Sequence, residues 1–166
     1  MLIGVISDTH ATLSQSAYAE LADCDHIIHA GDIGDPAILD ALSALAPITA
    51  VLGNNDIPEY GESVGRYAIS SLDGVRFFVT HTPQSLQAAL SGRTSALAPG
   101  DPLPAVVVHG HTHVPRIVYG GEAFPAHMLV CPGSPSRPRG GSRPSVAKIE
   151  TQNGVVTQAC IVDLEL

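Results

Sequence analysis

A chain of 166 residues with 45% apolar and 14% charged side chains can bury one hydrophobic core, which excludes wholesale disorder and points to one domain over residues 1–166. A formal net charge of −8, with Lys148 as the single lysine, excludes nonspecific binding to nucleic acid or to an anionic membrane surface, since both need clustered cations. Cys24, Cys131 and Cys160 are odd in number and lack C-x-x-C spacing, no leader-like segment opens the chain, and no apolar run nears the roughly 20 residues of a membrane span, so the cytoplasm is the expected location.

In chain order, Leu2 to Ser7 reads as a buried strand, Thr12 to Ala22 as a helix, and His26 to Ala30 as a second strand. Pro36 suits a first helical position, Ala37 to Leu45 continues that helix, and Pro47 stops it before the strand Ile48 to Leu52. Arg66 to Leu72 and Val75 to Thr80 flank Asp73-Gly74, a two-residue hairpin signal that begins a second sheet. Pro83 to Leu90 is a modest helix, Ser91 to Pro104 a loop, and Ala105 to His109 a buried strand. Arg116 to Tyr119, Met128 to Cys131, Ser145 to Gln152 and Val155 to Leu164 follow as strands, the last two joined by Asn153-Gly154. Between them, Pro132 to Pro144 carries Arg137, Arg139 and Arg143 and reads as a surface loop. The class is α/β, with the helices concentrated early.

Five segments place a metal-capable side chain just after an apolar strand: Asp8-Thr9-His10, Gly31-Asp32, Gly53-Asn54-Asn55-Asp56, Thr80-His81 and Gly110-His111-Thr112-His113. Singly, an Asp or His there is ordinarily a turn former or helix cap. Jointly, oxygen and imidazole donors recur at strand ends, where α/β sheets bind ligands, and neighbouring glycines let the backbone turn tightly.

The ordered pattern D-x-H, G-D, G-N-x-D, a lone His and G-H-x-H, running from Asp8 to His113, resembles that of the calcineurin-like metallophosphoesterases, and among them the small YfcE-like phosphodiesterases that have no cap domain. Cys131-Pro132-Gly133-Ser134 through Arg139 is similar to the Pro-Gly-Ser loop of that family. The resemblance implies a four-layer α/β/β/α sandwich with two packed mixed sheets. It also implies two divalent metal ions, one held by Asp8, His10, Asp32 and His113 and the other by Asp32, Asn54, His81 and His111, with Asp32 bridging. Such a mixed donor set suits manganese, iron, zinc or nickel, and manganese is the expected ion. The implied reaction is hydrolysis of a small phosphate ester, foremost a phosphodiester, by a hydroxide shared between the ions and attacking phosphorus in line.

The pattern departs from the family at Asn55, where many members, though not several of the small ones, carry a His that protonates the leaving group or steadies the phosphate. An amide donates a hydrogen bond but does not titrate near neutrality. Asn55 is therefore expected to contact substrate without supplying a proton, and good leaving groups are expected to react best. Asp56 reads as structural, Arg139 is the loop arginine assigned to substrate phosphate, and His29 is assigned to support the ligands from behind. Two questions stay open: a homo-oligomer, and a noncatalytic scaffold, because the same fold also serves interaction modules.

Overall fold

The alternation of side chains along short strands sorts this chain into two sheets, visible in a computed structural model that describes residues 1–57 and 59–165. The first sheet has the order β10-β9-β1-β2-β3, with β1 at Leu2–Ile6, β2 at His26–His29, β3 at Ile48–Ala50, β9 at Ser145–Gln152 and β10 at Val155–Asp163. The second has the order β4-β5-β6-β8-β7, with β4 at Tyr67–Leu72, β5 at Val75–Thr80, β6 at Val106–Val108, β7 at Arg116–Tyr119 and β8 at Met128–Cys131. Both sheets are mixed. Strands β1, β2 and β3 run parallel, as do β5, β6 and β8, while the hairpins β9-β10 and β4-β5 and the pair β7-β8 are antiparallel.

Each strand sends alternate residues to opposite layers. Ile3, Val5, Ile28, Phe77, Val79, Val106, Val108, Met128 and Val130 form the core between the sheets. Their neighbours point outward: Ile6 and Ile27 meet α1 (Gln15–Leu21) and α2 (Pro36–Ser43) through Ala17, Leu21 and Leu42. On the other side, Phe78, Val107 and Leu129 meet α3 (Pro83–Leu90) through Leu86 and Ala89. Each such fully buried aliphatic side chain contributes roughly 1.5–3 kcal/mol relative to exposure. The order of layers is therefore helix, sheet, sheet, helix, as the resemblance implied.

Both hairpins turn as their sequences demand, since Asp73, Gly74, Asn153 and Gly154 all adopt positive φ. The helix expected over Thr12 to Ala22 begins later. Ala11 stands at φ 65°, outside the helical region, and Ser14 caps the helix by accepting from Ala17 N at 3.2 Å. Asp35 and Thr82 cap α2 and α3, each followed by a proline at the first helical position. The strand expected to reach Leu52 ends at Ala50, and Val51 instead bridges to Gly65. A short 3-10 turn at Gly121–Ala123 carries no signal in the sequence.

This topology places the candidate ligands. Each of the five motifs follows a parallel strand, β1, β2, β3, β5 or β6, so the carboxyl ends of three strands of one sheet meet those of two strands of the other. Among the described residues, no helix is long and apolar enough to cross a membrane.

Candidate metal centre

The seven expected ligands come together where the two sheets meet. Asp8, Asp32, His81 and His113 are buried, His10 and His111 half-buried, and Asn54 exposed. Donor atoms of Asp8, His10 and His113 lie within 4.8 Å of one another, and so do those of Asp8, Asp32 and His81. Asp8 thus belongs to both groups. Oδ2 of Asp32 stands 3.4 Å from Nε2 of His81 and 3.7 Å from Nε2 of His10, so Asp32 also reaches both sides.

The imidazoles are oriented by their outer nitrogens. Nδ1 of His81 donates to Ala30 O at 2.7 Å, and Nδ1 of His113 donates to Arg137 O at 2.6 Å. Each Nε2 is therefore turned inward. Nε2 of His113 lies 3.3 Å from Nε2 of His10 and 3.2 Å from Oδ1 of Asp8. On the other side, Oδ1 of Asn54 lies 3.1 Å from Nε2 of His81 and 2.9 Å from Nδ1 of His111. Electron pairs converging at these distances suit divalent cations, and the mixture of carboxylate, amide and imidazole fits ions of intermediate softness.

Both carboxylates are tied down while keeping free lone pairs. Asp8 Oδ2 accepts from the Ser7 hydroxyl at 2.7 Å, His111 N is shared between Oδ2 at 3.0 Å and Oδ1 at 3.2 Å, and Oδ1 also faces His113 and His81. Asp32 Oδ1 accepts from Asn55 N at 2.9 Å and Oδ2 from Asn55 Nδ2 at 2.7 Å. A carboxylate oxygen has two acceptor directions, so each oxygen of Asp32 keeps one for a cation.

Burial raises the Asp8 pKa, opposed by the Ser7 hydrogen bond and by the charges of His81 and His113. Burial pushes Asp32 in the same direction, but the imidazole of His81 beside it and the hydrogen bonds from Asn55 outweigh burial and hold this carboxyl well below the usual range. Burial pushes His81 down, while the adjoining Asp32 and Asp8 carboxylates carry it above its ordinary value. Burial lowers His10, opposed by Asp32 and reinforced by the Arg137 charge.

Strain concentrates at the same place. Asp8, His10, Asp32, His111 and His113 all have positive φ, between 45° and 68°. Such left-handed backbone costs a non-glycine residue of the order of 1–2 kcal/mol and persists only where the surroundings enforce it. Gly53 is required sterically, because a Cβ there would collide with the carboxylate and backbone N of Asp32. A Cβ at Gly110 would come within 2.7 Å of Asp8 Oδ2.

The enforcing groups include residues that the sequence did not single out. Ser134 Oγ donates to Asp8 O at 2.8 Å, Ser136 Oγ to Thr9 O at 2.9 Å, and Ser7 Oγ also reaches Gly133 O at 2.9 Å. The Pro-Gly-Ser loop thus braces the turn that bears Asp8 and His10. Ser134 stood in a recognised motif, but its partner lies 126 positions away, and nothing local announces such a bond.

Among the other residues that stood out in the sequence, His29 lies behind the site and acts through another residue. Its Nδ1 accepts from Gly31 N at 3.2 Å, so Nε2 carries the proton and donates to Thr9 Oγ1 at 3.0 Å. Complete burial pushes this imidazole down to about 3, so it is neutral. Asp56 is structural: it accepts from Ile33 N and Gly34 N at 3.0 Å and from Gly53 N at 2.8 Å, latching two ligand loops together. Asn55 turns its amide onto Asp32. Arg139 is exposed, and its backbone N donates to His113 O at 3.2 Å. Burial pushes the Cys24 thiol up to about 11 and raises Cys131 as well, which leaves neither as an activated nucleophile.

The model of the calcineurin-like phosphoesterase superfamily domain matches residues 1–154. A probable metallophosphoesterase of Methanothermobacter thermautotrophicus is 36% identical over 146 residues, spanning 84% of this chain and 80% of the relative. Among solved structures, an archaeal phosphodiesterase superposes with a TM-score of 0.72 at 24% identity, over 98% of this chain and all (100%) of that one. A double mutant of Vps29 from Entamoeba histolytica superposes with a TM-score of 0.70 at 18% identity, over 99% of this chain and 100% of that one. The chain belongs to the calcineurin-like phosphoesterase superfamily.

Proposed function

We propose that this protein hydrolyses small phosphodiesters with two divalent metal ions, one on the Asp8, His10, Asp32, His113 side and one on the Asp32, Asn54, His81, His111 side. The observation that carries this reading is the placement of Asp32 Oδ2 between His81 and His10, with one acceptor direction free on each carboxylate oxygen. Manganese is the first choice, ahead of iron, zinc and nickel. When bound, the ions supply Lewis acidity, lowering the pKa of water to near neutrality and offsetting charge on the phosphate oxygens.

The chain's own residues set the geometry around that chemistry. Seven uncharged or singly charged ligands, of which only Asp8 and Asp32 are anionic, leave the centre net positive toward a phosphate despite the overall −8. Asn55 holds Asp32 in position and has a second amide hydrogen free for a phosphate oxygen. It has no proton to give to a leaving group, so the departing oxygen must leave as a stable anion. Arg139 is assigned to the substrate phosphate from the loop beside His113. The reading includes a cytoplasmic location and leaves the number of copies in the working protein open.

The likeness to Vps29 supports a second reading, a noncatalytic interaction module, to which Asn55 in place of an acid also points. The two readings separate in one assay. Protein stripped with chelator is tested on bis(p-nitrophenyl) phosphate with and without added manganese. Metal-dependent turnover supports the hydrolase, and no turnover with any of the four metals supports the module.

A further inference from the structure

The longest strand of the chain lies at an edge. β10 spans nine residues, Val155–Asp163, and pairs with β9 on one side; on the other, among the described residues, no strand pairs with it. An open edge presents a row of N–H and C=O groups that another strand can take up, and edges that stay bare are protected by lysine, proline or a bulge. Val155 to Val162 holds neither a charge nor a proline, in a chain of net charge −8. The bulge falls between Val156 and Gln158, next to the hairpin turn, so Gln158 to Asp163 runs in unbroken register with β9. Apolar side chains border the same edge: Tyr119 of β7 is 68% exposed and Val155 61% exposed, and both line a cleft of about 520 Å3 with Val156 and Met128.

We infer that β10 pairs antiparallel with β10 of a second copy of this chain, joining two five-stranded sheets into one of ten strands. Full overlap of the two strands puts Ala159 on the twofold axis and Gln158 opposite Cys160 of the second copy. A strand pairing with its own copy in this way is self-complementary, so one surface serves both partners. An axis perpendicular to the sheet also keeps like faces together. Ala159 and Ile161 face the core between the sheets in each copy, while Gln158, Cys160 and Val162 stand on the other face. Two chains of charge −8 repel over most approaches, and a strand with no carboxylate before Asp163 is a place where they can meet. The pairing is independent of the hydrolase reading, since β10 carries none of the proposed ligands.

Sedimentation equilibrium of the wild-type protein is expected to give twice the chain mass of 17.2 kDa. A short bismaleimide should join the two chains through Cys160, because Cys24 and Cys131 are buried, and Cys160→Ser should abolish that link while keeping the doubled mass. Gln158→Glu combined with Cys160→Glu gathers four carboxylates around the axis and should weaken the dimer about tenfold or more. Gln158 is exposed and Cys160 half-buried, so the variant should fold, which circular dichroism checks; the cross-link needs no such variant. A single-chain mass, a dimer that is not captured through Cys160, or a dimer that a folded double variant leaves equally tight overturns the inference.

Discussion

Asn55 closes on Asp32 with both of its nitrogens, the backbone N on Oδ1 at 2.9 Å and the side-chain Nδ2 on Oδ2 at 2.7 Å. The residue at the position where the family resemblance would place a general acid is thus a clamp on the carboxylate shared by the two proposed metal sites. Asn55→Ala keeps the backbone bond and removes the side-chain one from an exposed position, so folding should be little affected. Metal affinity or turnover should fall about 10- to 100-fold, the usual effect of losing a partner that orients a ligand. Calorimetric manganese titration and steady-state kinetics check this, and unchanged values for both would contradict it.

The absence of a titrating group at Asn55 has its own kinetic consequence. Across a series of aryl phosphodiesters, turnover should rise steeply as the leaving-group pKa falls. Asn55→His should flatten that dependence by supplying a proton. Fastest turnover on simple alkyl monoesters would contradict the account.

Ser134 ties the loop after β8 to the strained turn at Asp8, donating to Asp8 O at 2.8 Å and accepting from Arg137 N at 2.9 Å. It is fully buried. Ser134→Ala removes the acceptor of Arg137 N and leaves Asp8 O only the longer bond from Ser136 Oγ at 3.3 Å, and should cost about 1–3 kcal/mol. For a chain of this size that corresponds to a fall in Tm of roughly 2–12 °C. Manganese affinity should weaken in parallel, because Asp8 and His10 both sit on that turn. Thermal unfolding and metal titration of the same variant measure the two effects, and a lowered Tm with unaltered affinity would separate the brace from the site.

His29 makes stability depend on acid. Its folded pKa of about 3 lies below the ordinary 6.5, so between those values the unfolded chain binds a proton that the folded chain does not. Stability from this residue is present at neutral pH and is lost as pH falls from about 6.5 toward about 3, at up to roughly 1.4 kcal/mol per pH unit. Gln in its place can still accept from Gly31 N and donate to Thr9 without titrating. Wild type should exceed His29→Gln in stability near neutrality, and the gap should close by about 1 kcal/mol per unit on acidification. Urea unfolding at a series of pH values checks this, and a constant gap would contradict it.

The layers were legible in the sequence because they depend on local alternation. Phe77 and Phe78 are adjacent, and strand geometry alone requires one to face the partner sheet and the other a helix. Asp73-Gly74 and Asn153-Gly154 announced their turns for the same local reason. Strand order was not legible, since alternation says which face a residue takes but not which strand lies beside it. The start of α1 was misjudged because the positive φ of Ala11 is imposed by the loop bearing Asp8 and His10 rather than by any preference of alanine.

The candidate ligands were legible because oxygen and imidazole donors followed five separate strands. Their supports were not. Arg137 orients His113 through its carbonyl, which any residue possesses, and Ser7 and Ser134 act on partners across the chain.

The central claim, that Asp32 lies between two metal ions, is tested most directly by counting them. Protein stripped of metal, reloaded with manganese and freed of excess ion is analysed for metal per chain, alongside His81→Ala and Asn54→Ala. The account predicts two ions per chain in the wild type, close to one in either variant, and turnover depressed by orders of magnitude in both. One ion or none in the wild type, or variants that keep full stoichiometry and rate, would contradict it.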